Sequence, residues 1–137
     1  MSVDFYFENI EEIPLDLPKI RRWIKKTIRS ESKMTGEISF IFCSDEYLLN
    51  INRQYLGHDF YTDIITFDYV ANGIISGDIF ISIDRVKENA GAFQVSFCNE
   101  LNRIIIHGVL HLIGYKDKEA DDKKLMTSKE DFYLKYF

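Results

Sequence analysis

The segment from Phe97 to Ile113 has apolar residues on every side of a helix and yet carries two histidines. Its pattern of Leu, Ile and Val predicts a helix that other parts of the fold cover almost completely. His107 and His111 are four residues apart, so their imidazoles lie one above the other on one helix face. Burying two imidazoles is costly unless both find partners, and a metal ion satisfies both at once.

The residues that follow the second histidine favour a metal site over two ordinary core histidines. In the string HGVLHLIGYKD, Gly114 turns the chain and Asp117 follows three residues later. Two helical histidines, a glycine turn and a third ligand from the loop form a three-ligand site with an open position. That arrangement is typical of catalytic zinc. The alternative is that both histidines bond to the backbone and Asp117 is a surface acid.

The residue after the first histidine argues against a zinc peptidase. Such an enzyme needs a Glu there as the general base, and this chain has Gly108. We expect Gly108 instead to leave space beside the metal, which would suit a bulkier group such as a phosphodiester.

Length and composition favour one globular domain over residues 1–137. The chain is 46% hydrophobic and 15% aromatic, which excludes a disordered chain. No apolar run is long enough to span a membrane, and the first residues do not resemble a secretory signal. Cys43 and Cys98 lie in apolar segments and form no CxxC pair, so we expect reduced, buried thiols in a cytoplasmic protein.

Hydrophobic periodicity and turn signals predict an α+β fold: a small mixed β-sheet of about four strands packed with helices, with the metal-binding helix buried against it. Asn72-Gly73 predicts a hairpin, and Ser44 and Ser96 are expected helix caps. The predicted strands are residues 3–7, 37–43, 64–70 and 74–83, and the predicted helices are 17–31, 45–55, 84–94, 97–113 and 123–137.

Basic residues are concentrated on one predicted helix of an acidic chain. The whole chain has a net charge of −5, but residues 19–33 are strongly positive and only Glu31 opposes them. Such a face is either simply solvated or a footprint for the RNA backbone, and its concentration on one helix favours the footprint. The candidate RNA-binding residues are Arg21, Arg22, Lys25, Lys26 and Arg29.

The histidine motif resembles the HGxLHLxGYDH signature of the YbeY family of metal-dependent endoribonucleases. Residues 51–69 (INRQYLGHDFYTDIITFDY) and 76–82 (SGDIFIS) are similar to two further blocks of that family, and DDKKLMTSKED matches its last helix loosely. The resemblance covers nearly the whole chain and implies a zincin-like fold and one Zn²⁺ per chain, with other divalent metals as alternatives.

The resemblance also implies a cellular role. It predicts a cytoplasmic, single-strand-specific enzyme of late small-subunit rRNA maturation and ribosome quality control. The implied partners are rRNA and the small ribosomal subunit, with ribosomal proteins or a ribosome-associated GTPase as further candidates.

Two positions depart from the family pattern. Asp117 stands where the family usually has a third histidine, and aspartate ligates zinc well. Leu56 stands where the family has an arginine that would neutralise phosphate. Arg53, on the same helix, and Arg103, one turn before His107, are the candidate catalytic cations that could replace it.

Three further polar residues, and the function itself, each have two interpretations. His58 is either a solvated loop residue or part of the site wall, and Thr62 and Asp63 either orient ligands or form a turn. The rival function is a ribosome-assembly or RNA-binding factor whose metal is structural. A fourth protein ligand closing the metal site would favour that rival, and an open position would favour the enzyme.

Overall fold

A computed structural model describes residues 1–137 and confirms the α+β fold and the predicted order of elements. The strands are β1 (Val3–Glu8), β2 (Met34–Cys43), β3 (Ile64–Asp68) and β4 (Ile74–Ser82). The helices are α1 (Leu17–Ser30), α2 (Asp45–Leu56), α3 (Ile83–Phe93), α4 (Phe97–Ile113) and α5 (Ala120–Leu134).

The four strands form one mixed sheet in the order β1-β2-β4-β3. β1, β2 and β4 run parallel, and β3 pairs antiparallel with β4 at the edge. Asn72 and Gly73 both have positive φ angles, 54° and 74°, and join β3 to β4 as the sequence predicts.

The main core lies on the sheet face that α1, α3 and α4 cover, and α5 packs against α4. This core contains 22 buried residues, with inward-facing side chains of β2 and β4 packed against Trp23, Ile24, Ile105 and Val109. A smaller cluster around Leu48 lies on the opposite face, under α2. Because the sheet and its covering helices enclose α4, its apolar residues are buried as predicted.

Gly108 corrects one expectation, because its missing side chain faces the sheet and not the metal site. A Cβ atom there would lie 3.0 Å from the Cδ1 atom of Ile64 and 3.1 Å from the Cγ2 atom of Ile79. Gly77 on β4 is packed more tightly still, since a Cβ atom would lie 2.4 Å from the carbonyl oxygen of Phe67 and 3.0 Å from the Cδ2 atom of Leu112 on α4. These glycines let α4 approach the sheet.

Several boundaries differ from the sequence predictions for local reasons. β2 begins at Met34, before the predicted residue 37, because its first residues pair with the start of β4 across a register shift. β3 ends at Asp68, whose side chain accepts a hydrogen bond from the Val70 amide and closes a turn. α5 spans Ala120–Leu134, so it begins earlier and ends sooner than predicted.

The two cysteines have different environments. Cys43 is buried, and burial raises the pKa of its thiol to about 12, so it is an unreactive core residue as expected. The prediction of a buried Cys98 is wrong: it lies in the first turn of α4, on the outward side, and is exposed. None of the helices is long and apolar enough to cross a membrane.

Candidate metal centre

Three predicted ligands converge at the C-terminal end of α4. Ser96 caps the start of this helix through a hydrogen bond from the Asn99 amide. At the other end Gly114 takes a φ of 127°, which reverses the chain so that the loop carries Asp117 back toward the helix. The Oδ2 atom of Asp117 lies 3.3 Å from the Nε2 atom of His107 and 3.3 Å from that of His111. One ligand atom from each residue lies within 4.8 Å of the other two.

Each imidazole has a hydrogen-bond partner at its Nδ1 atom. The Nδ1 atom of His111 lies 3.0 Å from the Tyr115 carbonyl oxygen, and since a carbonyl only accepts, this nitrogen carries the proton. The Nδ1 atom of His107 lies 2.7 Å from the Oε2 atom of Glu130. A proton on each Nδ1 leaves each Nε2 lone pair free, which is the form that binds a metal.

The donor set fits a bound cation. With the protons on the Nδ1 atoms, two Nε2 lone pairs face one carboxylate oxygen. Lone pairs at that distance repel one another unless a positive charge lies between them. Two imidazoles and one carboxylate are ligands that Zn²⁺ accepts in a three-residue site. His107, His111 and Asp117 are therefore the residues that could hold the metal.

Glu130 is a candidate functional residue that the sequence analysis missed. Its side chain is 9% exposed, and its Oε1 atom accepts a hydrogen bond of 2.9 Å from Arg103. Arg103 also donates to Asp131, at 2.7 Å. A signal was available, because Met126, Glu130 and Tyr133 share the buried face of α5 at helical spacing. An acid on such a face needs a specific partner.

The surrounding carboxylates make this location favourable for positive charge. Burial is the largest influence on the pKa of His107 and lowers it. The hydrogen bond and charge of Glu130, with the charges of Asp117 and Asp63, outweigh burial and raise the pKa overall. Burial raises the pKa of Asp63 itself. A divalent cation would satisfy the same negative potential.

The ligands open onto a cavity of about 430 Å³. Thr62, Asp63 and Arg103 line it beside the two histidines, although neither Thr62 nor Asp63 hydrogen-bonds a ligand. Asp117 remains 39% exposed at its rim. The three-residue ligand set is thus open on one side.

Other candidates lie elsewhere. Arg53 is exposed, does not line the cavity and forms an ion pair with Asp59. His58 is exposed and stacks on the Phe60 ring, with the centroids 5.1 Å apart. Leu56, the last residue of α2, is exposed and likewise absent from the cavity wall.

The basic residues of α1 differ in whether they already contact other parts of the protein. The Nε atom of Arg21 donates to the Val3 carbonyl at 2.8 Å, and its guanidinium lies over the Phe5 ring. Arg22, Lys26 and Arg29 are exposed, and Lys25 is partly exposed.

Comparison with known proteins adds independent evidence. The family described as "Endoribonuclease YbeY" matches residues 6–137. A protein of that name from Flavobacterium psychrophilum is 58% identical over 115 residues, which cover 84% of this chain and 82% of the relative. Another from Parabacteroides distasonis is 47% identical over 131 residues, which cover 96% of this chain and 92% of the relative. The solution structure of TM1509 from Thermotoga maritima has a TM-score of 0.70 and 26% identity over 96% of this chain and 87% of that one.

Proposed function

The chain belongs to the endoribonuclease YbeY family, and we propose that it is a zinc-dependent, single-strand-specific enzyme of late small-subunit rRNA maturation and ribosome quality control. The proposed zinc dependence rests on the convergence of His107, His111 and Asp117 beside an open cavity. An endoribonuclease needs charge stabilisation at the phosphodiester, and an open three-ligand site supports that role.

The chain's own residues prepare the site for the metal. Glu130 and the Tyr115 carbonyl hold the protons on the two Nδ1 atoms, so both Nε2 atoms are fixed toward Asp117. When bound there, zinc would supply a Lewis acid that stabilises negative charge on the phosphoryl oxygens. The cavity beside the ligands provides the room for a phosphodiester, while Gly108 serves the packing of α4 on the sheet.

Phosphate binding also requires cations from the protein. Arg103 lines the cavity, but its guanidinium is already bound to Glu130 and Asp131, which makes it a positioning group for Glu130. Lys123 lines a second cavity together with His107 and Asp117, and it forms no ion pair. We therefore propose Lys123 as a free cation that assists phosphate binding beside the metal site. Arg53 remains a sequence prediction without a contact to the site.

The proposal includes a cytoplasmic location and action on rRNA of the small ribosomal subunit, with ribosomal proteins or a ribosome-associated GTPase as candidate partners. The rival, an assembly factor with a structural metal, would be favoured by a fourth protein ligand. The side chains that converge here are three, and the cavity leaves the remaining side accessible. This openness supports the enzyme.

The decisive experiment compares cleavage of single-stranded and duplex rRNA fragments by purified protein, with and without chelator. We expect cleavage of the single strand only, its loss with chelator, and its recovery with added Zn²⁺. His111→Ala should abolish cleavage, whereas His58→Ala, a matched change at an exposed histidine, should not. Chelator-resistant cleavage by His111→Ala protein would contradict the proposal.

Metal content provides a second readout. Elemental analysis of the purified wild-type protein should give one divalent metal per chain. The His107→Ala/His111→Ala double variant should give none, and His58→Ala should match the wild type. Full metal content in the double variant would contradict the assignment of this site.

A further inference from the structure

We infer that a groove along α5, leading from the metal cavity to the basic face of α1, binds single-stranded RNA beyond the bond that is cleaved. We call this surface the α5 groove and define it by Lys123, Lys124, Thr127, Phe132 and Lys135. The inference rests on the proposed RNA-cleaving function of the metal site and extends it to the path of the substrate.

Shared lining residues show that neighbouring cavities adjoin one another along α5. The metal cavity and a cavity of about 240 Å³ share His107, Asp117 and Glu130. That second cavity shares Lys123 and Thr127 with a depression of about 610 Å³ along α5. The three cavities thus adjoin one another along α5, in the order that a strand leaving the metal site would follow.

A further shared residue extends this path to α1. Phe132 lines the α5 depression and also a cavity of about 480 Å³. The walls of that cavity include Lys26 and Arg29 of α1. The path thus ends among basic residues that the sequence analysis selected as RNA contacts.

The charge of the α5 groove is complementary to a phosphate backbone. Lys123, Lys124 and Lys135 are exposed and form no ion pair, whereas Lys129 is held by Glu31. Asp131 is the one acid that lines the α5 depression, and Arg103 neutralises it. Lys124 and Lys135 are eleven positions apart on one helix face, or about 16 Å at the helical rise. The groove thus offers spaced, free cations to several phosphates.

Exposed aromatic rings are interleaved with these lysines. Phe132 is 48% exposed and Tyr136 is 68% exposed, and their ring centroids are 5.2 Å apart. Rings of this size exposed beside free lysines offer faces on which unpaired bases stack, independent of sequence. A duplex would keep its bases stacked internally and could use only the lysines, so the combination favours a single strand.

Binding measurements test the groove directly. The probe is an unstructured, cleavage-resistant 2′-O-methyl phosphorothioate oligonucleotide of about twelve nucleotides, within the range of single-strand sites. Its affinity for the metal-loaded protein is followed by fluorescence anisotropy over a salt series. Lys124→Gln and Lys135→Gln should each reduce the slope of log K against log salt concentration by about 0.7. Lys87→Gln, at an exposed lysine of α3, should leave that slope unchanged.

Ring variants test stacking separately from charge. Phe132→Leu should weaken binding about fivefold or more, because it keeps an apolar side chain but removes the ring. Phe132→Tyr should restore wild-type affinity, and Phe93→Leu, at an exposed ring of α3, should leave it unchanged. Thermal unfolding of each variant confirms that it is folded.

The outcomes separate this inference from the proposed function. Groove variants that bind like the wild type while chelator-sensitive cleavage persists would overturn the groove and leave the proposed function intact. Groove variants that bind weakly, in a protein that cleaves no RNA with any metal, would support the groove and overturn the proposed function. Equal losses for the lysine variants and Lys87→Gln would overturn the groove, because only net charge would then matter.

Discussion

The Oε2 atom of Glu130 lies 2.7 Å from the Nδ1 atom of His107, while its Oε1 atom accepts a hydrogen bond from Arg103. One buried carboxylate thus links a ring of the candidate metal site to a guanidinium on the same helix. The arrangement gives His107 the orientation that points its Nε2 atom at Asp117.

Replacing Glu130 should weaken metal binding without removing a ligand. We expect Glu130→Ala to lower the affinity for Zn²⁺ about 10- to 100-fold, because His107 loses the acceptor that fixes its ring. Competition with a chromophoric chelator measures this change. Asp122→Ala, on the same helix and without a contact to the histidines, is the control, and equal affinities for the two variants would contradict the role of Glu130.

Asp117 should behave as a ligand that a histidine can replace. Asp117→Ala should lower metal affinity at least tenfold, because even changes beyond the ligands typically cost 10- to 100-fold. Asp117→His should retain metal and fold. It makes the site more positive, so the alkaline rise in cleavage rate should move to lower pH. A pH–rate profile and a chelator titration check both variants, and an Asp117→Ala protein with wild-type affinity would exclude Asp117 as a ligand.

Glu31 should stabilise the fold in a pH-dependent way. Burial opposes its ionisation, but hydrogen bonds from Tyr115, Tyr133 and Lys129 outweigh burial and lower the pKa of this carboxyl. The contribution is therefore complete above the ordinary pKa of glutamate and is lost as pH falls through the lowered value. Glu31→Gln should reduce the free energy of unfolding by about 1.5–3 kcal/mol at neutral pH.

The Glu31 prediction is checked by urea unfolding at several pH values. The difference between wild type and Glu31→Gln should shrink as the solution becomes acidic. Glu12→Gln, at an exposed position, should show no such difference at any pH. A constant difference down to low pH would show that Glu31 stabilises by shape and not by charge.

The two packing glycines should differ in their response to alanine. Gly77→Ala places a Cβ atom 2.4 Å from the Phe67 carbonyl oxygen, so the β3–β4 pair must shift at a cost of about 1–3 kcal/mol. Gly108→Ala meets side-chain methyl groups of Ile64 and Ile79 at 3.0–3.3 Å, which must shift slightly, and it gains up to about 1 kcal/mol of helix propensity in return. Urea unfolding should therefore rank Gly77→Ala as less stable, and Gly91→Ala, with open space around it, should be at least as stable as wild type.

Charge reversal on α1 should weaken RNA binding in a salt-dependent way. We expect charge reversal at Arg22, Lys25 and Lys26 to reduce the slope of log K against log salt concentration by about 0.7 for each phosphate contact that is lost. Arg21 should contribute less to RNA binding, since it already bonds to the Val3 carbonyl and covers Phe5. Filter binding measures the slope, and an unchanged slope in the triple variant would show that this face is only solvated.

The elements that the sequence predicted well are those with a strong local signal. A short stretch of sequence is enough to predict each of three features: the buried helix α4, the caps at Ser44 and Ser96, and the Asn72-Gly73 turn. The same holds for the convergence of His107, His111 and Asp117, which lie within eleven residues of chain.

The features that the sequence did not reveal depend on contacts between distant elements. Glu130 is 23 residues from His107, and nothing near it in the sequence identifies its partner. The side of α4 that Gly108 occupies depends on the sheet, which periodicity alone does not place. The pairing of Arg103 with Asp131 likewise requires α5 to pack beside α4.

The ligands and the groups that orient them all lie in one helix–loop–helix stretch, from His107 to Glu130. The sheet, in contrast, joins distant segments, since Val3 pairs with Ile38 and Met34 with Ile74. A metal bound at the proposed site would therefore restrain a local unit, and its removal would leave the strand pairing intact. In hydrogen exchange, amides of α5 should lose protection when the metal is removed, while those of β2 and β4 remain slow to exchange.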